Sequence, residues 1–131
     1  MTVDRAAARS ARGKKARRRG RMLEYVALVH LMLKGYRILG FRLPMPQGEI
    51  DILAQKGKRL AVIEVKSRGD ADAALTAVTA IQQDRLWEAG LALQETRPQL
   101  AALDLNIDLY TLTPGRWPRH TKNAFEKIER F

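Results

Sequence analysis

Cysteine is absent from this 131-residue chain, which excludes disulfide staples and thiolate metal sites and fits an intracellular compartment. Long hydrophobic runs are missing too. No stretch approaches the roughly 20 apolar residues of a membrane span, and the N-terminus lacks the apolar segment of a secretory signal, so a soluble, cytoplasmic protein with no membrane partner is expected. Outside the N-terminal stretch there is no low-complexity segment, and no internal repeat appears anywhere. Carboxylates are scarce at the start of the chain, where Asp4 alone opposes Arg5, Arg9, Arg12, Lys14, Lys15, Arg17, Arg18, Arg19 and Arg21. Most of the net charge of +10 therefore sits there. Such a block repels itself and has little to bury. It reads either as a nucleic-acid arm that releases counterions from phosphate or as a solvated leader without a specific partner. An Arg-rich, acid-poor leader also suggests an organelle presequence, but the large apolar residues of one are missing.

What remains is ample for one domain. Hydrophobic residues make up 46% of the chain, and a domain of this length buries a core without staples. The division expected is a basic tail over residues 1–20 and a folded domain over 21–131. From about Arg21 to Lys34, Met22, Val26, Val29 and Leu33 recur at helical spacing, with Gly35 placed to end the helix. "YRILGFRL" alternates roughly and runs into Pro44 and Pro46, which predicts a strand and then a loop. Gly48 to Arg68 adds two strands with a turn near Gly57. About Ala71 to Glu95 is rich in Ala, Leu and Gln and reads as a long helix, in which Gly90 leaves room for an interruption. "LNIDLYTL" is strand chemistry closed by Pro114 and Gly115, and a short amphipathic helix is expected from about Lys122. Helix, three strands, helix and strand make an α/β sandwich, a mixed sheet flanked by helices.

The hairpin carries charge that a core element does not need. On strict alternation Ile50, Ile52 and Ala54 share one face, and Glu49, Asp51 and Leu53 share the other. On the next strand Ala61, Ile63 and Val65 oppose Leu60, Val62, Glu64 and Lys66. A turn over Lys56 to Arg59 sets Asp51 opposite Glu64 and Glu49 opposite Lys66; a tighter turn at Lys56 and Gly57 sets Glu49 opposite Glu64. Either register gathers carboxylates at one end of the hairpin. Like charges placed so are destabilising unless a cation intervenes, and oxygen ligands without nearby His or Cys favour Mg2+ or Mn2+ over zinc. Lys66, beside Glu64, would position a water or stabilise charge on a phosphate, which suits phosphodiester hydrolysis. The plainer alternative is a surface face with cross-strand ion pairs to Lys66 or Arg68.

"GEIDILA" followed by "VIEVKSR" resembles the PD-(D/E)XK motif of the restriction-endonuclease-like superfamily, with Ile50-Asp51 at the Pro-Asp position and Glu64-Val65-Lys66 as E-X-K. The chain is closer in resemblance to the YraN-type family of uncharacterised bacterial proteins, which are similar to archaeal Holliday-junction resolvases. The pattern of that family matches Glu24, Gly48 to Asp51, Val62 to Lys66, and His120 with Asn123-Ala124-Phe125. The resemblance implies an αβββαβ endonuclease-like domain and a magnesium-dependent nuclease site. Asp51, Glu64 and Glu24 would bind metal, and Lys66 would act on water or phosphate. Branched or damaged DNA would be the substrate class. Arg68 joins Arg17, Arg18, Arg19 and Arg21 as expected nucleic-acid contacts. Gln82 and Asn106 stand where that family carries a lysine and an arginine. Two other classes of function remain open: a nucleic-acid-binding module that keeps the fold without cleaving, and a protein-interaction subunit whose hairpin charges are structural. A homodimer is compatible with all three. His30, His120, Trp87 and Trp117 read first as packing or capping residues, with phosphate contact for His120 and base stacking for the tryptophans as the alternatives.

Overall fold

Apolar residues recur on both sides of the first helix, α1 (22–33), and only the fold decides which side docks. The computed structural model describes residues 22–67 and 78–127. It buries Ala27 and Leu31 completely and packs Leu23 and Leu28 at their margin, whereas Met22, Val26, Val29 and Leu33 face outward. The four residues whose spacing announces the helix therefore form its outer stripe. Gly35, at φ 92°, ends α1 in the left-handed region, where a Cβ would be strained.

Strands β1 (Arg37–Leu43), β2 (Ile50–Lys56), β3 (Arg59–Ser67), β4 (Asp104–Leu112) and β5 (Arg119–Thr121) form one sheet in that spatial order. β3 and β4 are parallel and the other neighbours antiparallel. A parallel pair needs a crossover, and helix α2 (Ala80–Thr96) supplies it. α1 lies over Ile52, Ala54, Ala61, Ile63, Tyr110 and Leu112; α2 lies over Leu53, Leu60, Val62, Ile107 and Leu109. The result is the expected mixed sheet flanked by helices, a restriction-endonuclease-like αβββαβ core. Leu31 and Leu53 are wholly buried on opposite faces, so truncating either to Ala costs about 2–5 kcal/mol.

Several elements differ from expectation. α2 starts at Ala80, not near Ala71, because Thr79 caps it: the Thr79 hydroxyl accepts from Gln82 N–H and the Gln82 side chain accepts from Thr79 N–H, each at 3.2 Å. This reciprocal box satisfies two of the orphan donors of the first turn. Residues 71–77 lie outside the described residues. Gly90 does not interrupt α2. A Cβ there would stand 2.9 Å from Leu105 and 3.3 Å from Val62, so glycine lets the helix approach the sheet. No helix begins at Lys122; β5 and turns occupy 119–127, with 128–131 outside the described residues. β5 is too short to show a periodicity, and its pairing with β4 decides it. Among the described residues no helix is long and apolar enough to cross a membrane.

Candidate active site

The turn between β2 and β3 fixes which carboxylates meet. Lys56 pairs with Arg59 across Gly57 and Lys58, and Gly57 takes φ 59°. The ladder then runs through Leu53–Val62 to Ile52–Ile63. Continuing that count sets Asp51 opposite Glu64, the first of the two registers open to the sequence. Paired residues stop at Ile52–Ile63, and beyond it the Asp51 carboxylate accepts the Val65 N–H at 2.9 Å. Strict alternation fails here as well, since Ile50 packs with Leu53 and Val62 under α2 and not with Ile52.

Asp51 and Glu64 share this open end of the hairpin. Burial, then the charge of Glu64, pushes the Asp51 carboxyl up to about 7, against the pull of the Val65 N–H; Glu24 and Glu49 add smaller upward pushes. Burial also raises Glu64, offset by Lys66 and by a hydrogen bond with Asp51. Near neutral pH the Asp51 carboxyl is therefore still titrating beside a second carboxyl that burial also pushes up. Lys66 Nζ lies 3.4 Å from Glu64 Oε1, with both side chains largely sheltered.

Glu24 reaches the same region from α1, close enough for its charge to raise both carboxyls. Its Oε2 accepts from Arg42 Nε at 2.7 Å. Nothing in the local sequence marks Arg42, yet its position is distinctive. A bulge between Ile38 and Gly40 shifts β1, Phe41 pairs with Ile52 and Leu43 with Ile50, and Arg42 is left opposite Asp51 at φ 48°. Its Nη2 is buried and has no partner among the described residues, and the same holds for Gln47 Oε1. A cleft of about 160 Å³ opens between this end of the hairpin and α2, lined by Gln47, Glu49, Glu64, Gln82 and Arg85 among others. Arg85 thus brings a cation to the cleft one turn after Gln82. Glu49 is exposed on its rim. Asn106 lies elsewhere, donating to Asp104 O at 3.0 Å beside the start of β4.

Among the described residues no three His, Asp or Glu side chains form a ready metal cage. The donor chemistry at Asp51 and Glu64 nonetheless fits a hard divalent cation. Two sheltered carboxyls, each pushed up by burial, meet there, and both imidazoles of the chain, His30 and His120, are bonded elsewhere. Arg17, Arg18, Arg19, Arg21 and Arg68 lie outside the described residues.

A second polar cluster lies under α1. Asp108 is fully buried and accepts two 2.6 Å bonds from Arg59, one of 2.7 Å from His120 Nε2 and one of 3.0 Å from Asn123 N–H. Burial raises this carboxyl, but the bonds from His120, Arg59 and Asn123 outweigh it and hold it at about 2. His120 stacks on Tyr110, and its Nδ1 faces Lys34 Nζ at 2.6 Å. Tyr110 OH also bonds His30 Nδ1. His120 and His30 are therefore packed and partnered, and His120 caps no helix. The only hint in the sequence is an aspartate set amid the apolar residues of "LNIDLYTL".

The model of the Uncharacterised protein family UPF0102 matches residues 23–109, a span holding Glu24, Asp51, Glu64, Lys66 and Asp108. The chain belongs to UPF0102. It is 52% identical to a UPF0102 protein of Caulobacter sp. (strain K31) over 125 residues, covering 95% of this chain and 90% of that one. UPF0102 proteins of Parvibaculum lavamentivorans and Rhizobium leguminosarum bv. trifolii are 45% and 46% identical, covering 88% and 89% of this chain and 86% and 96% of theirs. The UPF0102 match ends before β5, so the Arg59–Asp108–His120 cluster straddles its boundary.

Proposed function

We propose that this chain is a metal-dependent nuclease that hydrolyses phosphodiester bonds in DNA, with branched or damaged DNA as its substrate class. The observation that carries the reading is the sheltered Asp51–Glu64 pair with Lys66 Nζ 3.4 Å from Glu64. Asp51 and Glu64 would hold Mg2+ or Mn2+, with Glu24 released from Arg42 to join them. A bound ion would neutralise the pair and polarise the phosphate.

The chain's own groups divide the remaining work. Val65 N–H orients Asp51 and favours its ionised form. Lys66 offers an ammonium to water or to the scissile phosphate. Arg85 would donate to phosphate oxygens from the cleft, and Arg42 Nη2, which has no partner among the described residues, would do so once Glu24 is released. The basic N-terminal residues and Arg68 supply sequence-independent, salt-sensitive attraction to the backbone.

A second reading is a nucleic-acid-binding module that keeps the fold without cleaving. One observation favours it: Glu24 is already neutralised by Arg42 at 2.7 Å. The test is single-turnover incubation with linear, flapped and four-way DNA, with and without Mg2+ or Mn2+. Metal-dependent cleavage lost in both Asp51→Asn and Lys66→Ala supports the nuclease. Binding without cleavage on every substrate supports the module.

A further inference from the structure

We infer that the outer face of α1, together with Trp117, is the surface through which two copies of this chain associate. α1 is apolar on both sides. Leu23, Ala27 and Leu31 meet the sheet, while Met22, Tyr25, Val26, Val29 and Leu33 are 45–81% exposed. Helices that are hydrophobic all round are ordinarily covered all round. Trp117, 88% exposed after β4, stands across from the same stripe, and between them runs a groove of about 540 Å³.

Three features select a second copy as the occupant. First, the open surface of Met22, Tyr25, Val26, Val29, Leu33 and Trp117 amounts to roughly 800 Å² per chain, one side of a standard stable interface. Side chains of five apolar residues and Tyr25 supply most of it, in one patch around a single groove, where monomers usually expose at most a few hundred Å² of contiguous apolar surface. Second, the face carries both projecting anchors, Leu33 and Trp117, and a groove to receive such anchors. A two-fold axis near the middle of α1 lets each copy fill the other's groove, with the Met22 end of one helix beside the Leu33 end of its partner. Third, a groove runs between the α1 stripe and Trp117, and a protein side chain fills such a recess where a bilayer surface accepts a flat or convex apolar ridge. The Met, Tyr and Trp content of the face is also that of interface cores.

The test is sedimentation equilibrium of the full chain at concentrations up to about 100 μM, in salt high enough to screen the basic tail. Dimeric wild-type protein is expected. Leu33→Glu and Val29→Glu, both at exposed positions, should each weaken the dimer at least about 100-fold, with an unchanged circular dichroism spectrum. Because the chain has no cysteine, Val26→Cys offers a second readout: it should form an interchain disulfide on oxidation, and Glu95→Cys on α2 should not. A wild-type monomer at the highest concentration overturns the inference, whether or not that monomer binds anionic phosphatidylserine vesicles or a different protein. So does a dimer that both glutamate substitutions leave intact, or equal crosslinking of the two cysteine variants.

Discussion

Replacing Asp51 with Asn should make the protein more stable at pH 8 while removing its response to magnesium. Asn keeps the shape of the side chain and an oxygen for the Val65 N–H, now 2.9 Å from Asp51, but carries no charge. The carboxyl titrates at about 7 in the folded protein against a reference of 3.8. Because the folded value is raised, its contribution to stability is fully present below about pH 4 and is lost as pH rises through 7. At about 1.4 kcal/mol per pH unit the loss is bounded near 4 kcal/mol, and sharing of the proton with Glu64 reduces it to roughly 2–4 kcal/mol. Asp51→Asn escapes this penalty, so its melting temperature at pH 8 should rise by about 6–15 °C relative to wild type, with little difference at pH 4. Magnesium at ten times its dissociation constant should stabilise wild type by about 1.4 kcal/mol and leave the variant unmoved. The assay is a pair of thermal melts at each pH, with and without millimolar Mg2+. Parallel pH profiles, or a variant less stable than wild type at pH 8, would refute the claim that burial and Glu64 hold the Asp51 proton.

Asp108 should behave in the opposite sense. Its carboxyl is held at about 2 against a reference of 3.8, so its stabilisation is present above about pH 4 and disappears as pH falls towards 2. Asp108→Ala, which strands the Arg59 guanidinium, should cost about 3–5 kcal/mol in urea unfolding at pH 7; a loss under about 1 kcal/mol would mean Arg59 finds water instead. Lys66→Ala should lower single-turnover DNA cleavage by about 10²–10⁴-fold with DNA affinity nearly intact, since a group acting in the transition state adds little to ground-state binding. Deleting residues 1–20 should do the reverse, weakening binding and flattening its log–log salt dependence by about 0.9 for each phosphate that is no longer neutralised, while cleavage at saturating protein persists.

Spacing along the chain suffices for the existence of most elements and narrows the pairing of the carboxylates to two registers. Period-2 alternation on β3 predicts that Leu60 and Val62 oppose Ala61 and Ile63, and those pairs do lie under α2 and α1 respectively. A turn over Lys56 to Arg59 is one of two options open to the sequence, and from it the Asp51–Glu64 juxtaposition follows by counting. Such information is local, carried from Asp51 to Glu64. Long-range packing supplies the rest. Periodicity assigns a helix but not its inward face when both faces are apolar, so only docking on the sheet could turn Met22, Val26, Val29 and Leu33 outward. Arg42 meets Glu24 and sits opposite Asp51 because of a bulge, which shifts register by one residue with no sequence signature strong enough to read. The Asp108 cluster joins residues from β3, β4 and β5 with Lys34 beyond α1, groups separated by up to 86 positions in the chain. No local pattern encodes proximity at that range; it arises when packing leaves a buried carboxylate that must find donors.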